Sequence, residues 1–182
     1  MDDVAVAWST GKDAALALQT VAADPGYQVV ELFTTVTTET GTVRGHDVPR
    51  SLLARQADTL GYPLRVVDVP DEPDAYERHL RATFDAYDRR GIDRVVYADL
   101  FVEPIREYRE SLLADHDRSF LADLTDDTDP CGENGEFHTF VRDGPLFASS
   151  VPVETAGRTT RTVEGGARGG TYHYCDLRPA DG

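Results

Sequence analysis

The chain has 182 residues, 40 % of them hydrophobic, which is enough apolar material for one sizeable core and argues against global disorder. Its 33 Asp and Glu against 18 Lys and Arg give a formal charge of −15. That argues against a general nucleic-acid binder and against a protein of anionic membrane surfaces, both of which need clustered Lys and Arg.

The first two thirds alternate strand-like and helix-like patterns. Val4 to Trp8 is a short β-prone run, followed by the turn formers Ser9-Thr10-Gly11. From Lys12 the spacing turns helical, with Ala15, Leu16, Leu18 and Ala22, until Asp24-Pro25-Gly26 stops it. Tyr27 to Val36, rich in β-branched and aromatic residues, predicts a second strand. Pro49 to Leu60 predicts a helix ended by Gly61, with Leu52, Leu53, Gln56 and Leu60 on one side, and Pro63 to Val69 a third strand. Asp74 to Arg90 reads as a long amphipathic helix bearing Tyr76, Leu80, Phe84 and Tyr87, stopped by Gly91. Ile92 to Ala98 adds a strand and Ile105 to Leu113 a helix. Repeated β–α units predict an α/β fold, a Rossmann-like parallel sheet with helices on both faces, whose ligands sit beyond the carboxyl ends of the strands.

The character changes after about Ala114. Asp115 to Gly135 is crowded with Asp, Gly and Pro, and Phe137 to Val141, Val151 to Val153 and Thr171 to Leu177 are short β-like runs. They predict a small C-terminal β-rich lobe over 115–182 beside an α/β domain over 1–114. Thr155 to Gly170 mixes Gly157, Gly165, Gly166, Gly169 and Gly170 with Arg158, Arg161 and Arg168, and reads as a mobile hairpin loop. Cys131 and Cys175 lie far apart and form no CxxC pair, and Met1-Asp2-Asp3 runs straight into the first strand without a signal-like segment. A reducing, cytoplasmic setting is expected. Strong acidity with Lys12 as the only lysine points to a saline solvent, where carboxylates stay hydrated and self-repulsion is screened.

Lys12 sits in Ser9-Thr10-Gly11-Lys12-Asp13-Ala14, between the first strand and the first helix. A tight turn there exposes backbone N–H groups at a helix N-terminus, whose partial positive charge favours phosphate. Ser9 and Thr10 add hydroxyl donors and Lys12 a mobile ammonium. Asp13 opposes an anion unless it holds a metal or orients the loop, and phosphate with magnesium satisfies both signs. Only Gly11-Lys12 matches the end of a Walker A loop. On local letters alone an ordinary strand–helix turn fits as well; the solitary lysine favours phosphate.

Ser9 to Ala14 resembles the S-G-G-x-D-S pyrophosphate loop of the adenine nucleotide alpha-hydrolase superfamily, with Thr10 at the second small residue and Ala14 at the final serine. A second segment, Asp129-Pro130-Cys131-Gly132-Glu133-Asn134-Gly135-Glu136-Phe137-His138-Thr139-Phe140-Val141, reads by itself as an acidic turn entering a strand, with Glu136 and His138 on one face. Cys131 and His138 have no second Cys or His spaced to complete a zinc site. The segment resembles the G-E-x-G-E-[FY]-x-T signature of the diphthine–ammonia ligase family, also called the ATP-binding diphthamide synthesis family. Gly45-His46-Asp47-Val48, Gln56-Ala57-Asp58, Gly61-Tyr62-Pro63-Leu64, Asp99-Leu100-Phe101 and Arg106-Glu107-Tyr108-Arg109-Glu110 follow in the family's order. There is one departure: a helix and strand that normally precede the signature have no evident counterpart between Ala114 and Leu124, implying a shortened lobe.

The resemblance implies an adenine nucleotide alpha-hydrolase fold of PP-loop type and an ATP-dependent amide-forming ligase that releases AMP and pyrophosphate. ATP and magnesium are the implied cofactors, met by Ser9, Thr10, Gly11, Lys12, Asp13, Ala14 and Asp99, with magnesium at Asp13. Lys12, Asp13 and Glu136 are implied as catalytic, and Gly132, Glu133, Asn134, Gly135, Glu136 and His138 as the substrate pocket. The implied partners are a diphthine-bearing translation elongation factor as protein substrate, and ammonia; neither nucleic acid nor membrane is expected, and a homodimer stays open. Trp8 or Tyr97 offers a ring face for the trimethylammonium group, and His46 reads as a loop hydrogen-bonding residue. Two other readings stay open: a regulatory adenine-nucleotide-binding module without turnover, and an AMP-forming ligase or hydrolase acting on another small carboxylate.

Overall fold

The computed structural model describes residues 1–98, 103–113, 119–121, 138–163 and 170–180. The elements run β1 (Asp2–Ala7), α1 (Lys12–Ala23), β2 (Tyr27–Thr37), β3 (Thr42–Val43), α2 (Arg50–Leu60), β4 (Leu64–Val69), α3 (Ala75–Asp88), β5 (Arg94–Val96), α4 (Glu103–Leu113), β6 (Ser119–Leu121), β7 (Val153–Val163) and β8 (Gly170–Pro179).

Five strands lie parallel in the spatial order β4, β2, β1, β5, β6. β1 is the hinge of this order: the chain steps outward from it through β2 to β4, then returns to its other side at β5. That reversal opens a crevice at the carboxyl end of β1, where parallel sheets of this kind hold ligands. β3 is antiparallel and pairs Val43 with Val36 and Thr42 with Thr37.

The burial pattern explains the layers. Val4, Ala5 and Val6 are 0 %, 0 % and 1 % exposed, so β1 is covered on both faces. Val4 and Val6 pack with Ala14, Ala17 and Leu18 of α1 and with Leu52, Leu53 and Leu60 of α2. Ala5 points the other way, into a cluster with Phe33, Leu80, Phe84 and Tyr87 and with Leu112 and Leu113 of α4. The alternation of adjacent strand residues between faces thus places α1 and α2 on one side and α3 and α4 on the other. The expected fold class is the observed one.

Three expectations change. Ser119–Leu121 forms β6, parallel to β5, so this stretch supplies a strand where the sequence reading saw none. Residues 155–163 form strand, not loop: Thr159, Thr160 and Thr162 favour extended backbone, and β7 pairs antiparallel with β8 from Val153↔Pro179 to Val163↔Gly170. The glycine-rich stretch 164–169 lies outside the described residues. Residues 138–141 are extended but belong to no strand. They run instead along the start of α1, and the chain beyond them packs Phe140, Leu146, Phe147, Val151, Val153 and Leu177 onto the α1–α2 cluster.

Candidate functional site

The chain leaves β1 at Trp8, and three groups hold it there. Trp8 N donates to Phe33 O at 2.8 Å, Thr34 Oγ1 donates to Trp8 O at 2.6 Å, and the indole Nε1 donates to Gln56 Oε1 at 2.9 Å. Thr10 then turns the backbone through φ +74°, a left-handed conformation that is costly for a β-branched residue. This is the position at which the resembled loop carries glycine, and the dihedral supplies the reason. Thr10 is fully buried, and its Oγ1 has no hydrogen-bond partner among the described residues.

α1 starts at Lys12, with Gly11 as N-cap and no side chain of its own to cap it. The cap comes from elsewhere: Lys12 N donates to Thr139 Oγ1 at 2.8 Å, across 127 residues of sequence. Val141 N donates to Thr10 O at 2.9 Å, and Gln56 Nε2 donates to the same carbonyl at 3.1 Å and to Val141 O at 2.7 Å. Residues 138–141 are therefore strapped over the loop at its backbone. The strap lies so close that a Cβ on Gly11 would stand 3.1 Å from Thr139 O.

The loop over 43–48 forms a third wall. Gly45 and Asp47 adopt positive φ of 81° and 56°, turning His46 toward the strap. Its ring lies 4.1 Å from that of His138, centroid to centroid. Burial, reinforced by His138 and the Lys12 ammonium, lowers the His46 pKa to about 3. Asp47 accepts from Thr42 Oγ1 at 3.0 Å and pairs with Arg161 of β7 at 2.9 Å, so the long hairpin is tied to this wall.

The sequence-predicted residues divide into three groups. Ser9, Thr10, Gly11, Lys12 and Asp13 lie together at the carboxyl end of β1, with His138 across the loop beside His46. Ala14 is adjacent, but its side chain is 1 % exposed within the core, so only its backbone remains to meet a ligand. Asp99, Gly132, Glu133, Asn134, Gly135 and Glu136 lie outside the described residues. Three readings need correction. Trp8 is 1 % exposed with its indole engaged by Gln56, and Tyr97 is 4 % exposed with Arg109 stacked 3.9 Å over its ring; neither ring face is open to a trimethylammonium group. His46, read as a loop hydrogen-bonding residue, has a buried Nδ1 without a partner among the described residues. Thr139 was given no site role, although it is the final threonine of the resembled signature. Gln56 carried a signal, a polar residue within an apolar helical stripe.

An anion suits this loop. Lys12 offers an ammonium, the α1 N-terminus a partial positive charge, and Thr10 a buried hydroxyl without a hydrogen-bond partner among the described residues. Among the described residues no group of three or more His, Cys, Asp or Glu could hold a metal ion, and the Asp13 carboxylate stands 3.2 Å from Lys12 Nζ. Among the described residues no helix is long and apolar enough to cross a membrane.

A switch-point crevice with a phosphate-type loop at the carboxyl end of its central strand defines a Rossmann-like protein of PP-loop kind. Residues 2–114 match the family model for the diphthamide synthase N-terminal domain, and residues 109–168 match that for the diphthamide synthase C-terminal domain. The chain belongs to the diphthamide synthase, or diphthine–ammonia ligase, family, and its role lies in diphthamide biosynthesis. The comparison with curated proteins finds no match.

Proposed function

We propose that this chain is an ATP-dependent ligase that converts the diphthine carboxylate of a translation elongation factor into the amide of diphthamide. The observation that carries the reading is the phosphate-type loop itself: a helix N-terminus, a solitary lysine and a buried hydroxyl without a partner among the described residues, at the switch point between β1 and β5. A carboxylate does not react with ammonia directly, because oxide is too poor a leaving group. In the proposed reaction a carboxylate oxygen attacks the α-phosphorus of ATP, the bond to the β-phosphate oxygen breaks, and pyrophosphate leaves. Ammonia then adds to the acyl carbon, AMP departs with the carboxyl oxygen, and one proton is lost to solvent.

In this scheme Ser9, Thr10, Gly11 and Lys12 bind the pyrophosphate oxygens, and Lys12 offsets charge developing on the leaving group, the kind of positioning and charge stabilisation that dominates phosphoryl chemistry. Asp13 orients Lys12. Glu133, Asn134, Glu136 and His138 form the pocket for the cationic substrate, with Asp99 at the nucleotide.

Purified protein supplied with ATP, ammonium, magnesium salt and diphthine-bearing elongation factor should release AMP and pyrophosphate in step with amide formation, and Lys12→Ala should abolish it. Release of ADP would refute the α-phosphate chemistry. Nucleotide binding without turnover would favour the regulatory module instead.

A further inference from the structure

We propose that Thr139 is a positioning residue for the phosphate loop, and that with Gln56 it makes the strap over 138–141 register whether that loop is occupied. The proposal rests on the nucleotide-binding reading above and assigns a coupling element within it.

A helix leaves its first N–H groups without intrahelical partners. Here Gly11 has no side chain to satisfy them, and the Asp13 carboxylate is turned to Lys12 Nζ. The Thr139 hydroxyl accepts from Lys12 N instead, at 2.8 Å. An anion arriving at this N-terminus meets an N–H that is already engaged. If Thr139 stays, its hydroxyl still has a proton to donate to the anion; if it yields the N–H, the strap must shift. Either way residues 138–141, which include the last two positions of the glycine–glutamate signature, respond to the ligand.

Gln56 makes the response a rigid one. Its amide is fully buried, and its orientation has no alternative. The indole N–H of Trp8 can only donate, so oxygen must face it, while the carbonyls of Thr10 and Val141 can only accept, so nitrogen must face them. One side chain thus clamps the end of β1, the strained residue of the loop and the strap. Gly11 permits the approach: a Cβ there would crowd both the carbonyl and the hydroxyl oxygen of Thr139.

The test compares wild type with Thr139→Val, which keeps the shape and loses the hydroxyl, and Thr139→Ser, which keeps the hydroxyl. The readouts are the dissociation constants of inorganic pyrophosphate and ATP, the hydrogen-exchange rate of the Lys12 amide without ligand, and the melting temperature. Thr139→Val should weaken pyrophosphate binding by about tenfold, the scale of one hydrogen bond, and speed Lys12 exchange. Thr139→Ser should stay within about threefold of wild type on the same scale. Unchanged pyrophosphate affinity in Thr139→Val overturns the proposal, even if its melting temperature falls, because the threonine is then only structural. Equal loss in both variants also overturns it. Should Thr139→Val fail to fold, Thr139→Ala against Thr139→Ser carries the same comparison. Wild-type protein that binds neither ATP nor pyrophosphate overturns the ligase reading and the coupling together, whereas wild-type binding that no variant alters overturns the coupling alone.

Discussion

Replacing Thr10 by glycine should stabilise the protein, although the residue is buried at the centre of the candidate site. Its φ of +74° costs an L-residue about 1–2 kcal/mol, and the buried Oγ1, without a partner among the described residues, forfeits about 1–3 kcal/mol of desolvation. Relief on removing the side chain is therefore about 2–5 kcal/mol. Against it stand about 0.5–1 kcal/mol for the extra chain entropy of glycine and about 1.5 kcal/mol for the lost burial of two carbons. The balance centres on a gain of about 1 kcal/mol, or roughly 2–4 °C in melting temperature for a chain of this length. The turn itself should persist, because the Thr10 carbonyl stays anchored by Val141 N and Gln56 Nε2. Denaturant and thermal unfolding followed by circular dichroism measure the effect. Thr10→Ser keeps both the dihedral and the hydroxyl, and should gain nothing. A loss of more than about 1 kcal/mol in Thr10→Gly, on the scale of one good hydrogen bond, would refute the reasoning, because the hydroxyl would then have to be bonded or the left-handed turn absent.

Gln56→Leu should cost about 2–4 kcal/mol, since it removes the partner of the Trp8 indole and of the Val141 carbonyl and one of the two donors to the Thr10 carbonyl; urea unfolding at constant m-value checks it. Glu31 is 7 % exposed on β2 and accepts from Arg65 at 2.7 Å and Arg90 at 2.8 Å. Burial alone would raise its carboxyl, but those two guanidinium hydrogen bonds outweigh it and hold the pKa below the ordinary value. Its contribution is present above the unfolded value near 4.5 and lost as pH falls through the lower folded value. Glu31→Gln should therefore destabilise by about 1–3 kcal/mol near neutrality, with both arginines partly exposed, and flatten the acid limb of a melting curve against pH. For His46 the folded pKa of about 3 lies below the unfolded 6.5, so the unfolded chain takes the proton first. That contribution is complete above about pH 6.5 and declines as pH falls toward 3; His46→Gln should remove this part of the decline, measured as melting temperature between these limits.

That helices cover both faces of a parallel sheet was legible because it rests on local periodicity, such as Leu52, Leu53 and Leu60 along one helix stripe. Which helix covers which face, and the strand order, came only from the packing of Val4 and Val6 against Ala5 and from the pairing of the strands. The loop from Ser9 to Asp13 was legible too, because its residue types and its setting between strand and helix are contiguous. What sequence hid is whatever depends on pairing at a distance. Three residues from Ser119 are too few to read as a strand until β5 is known to lie beside them. The hairpin of β7 and β8 was obscured by glycines that draw attention away from its alternating threonines. Trp8 and Tyr97 were read as open rings because composition says nothing of what covers an aromatic face; here Gln56 and Arg109 do.

The strap also bears on how the chain is divided. A boundary near residue 114 follows composition, yet the loop at the end of β1 is not self-sufficient within the first part. Its helix has a glycine cap, its turn carries a threonine in a conformation suited to glycine, and the Gln56 amide has two hydrogens of which only one is used by Thr10. Thr139 and Val141 meet those needs, and Val151 closes over the same apolar cluster as Leu52 and Leu53. Strain in the loop is held by contacts from the far end of the sequence, so the loop has its observed shape only when the C-terminal stretch is docked. If the loop binds phosphate as proposed, it is tied from the outset to the end of the glycine–glutamate signature, the arrangement the proposed ligase needs if nucleotide and carboxylate substrate are to be sensed together.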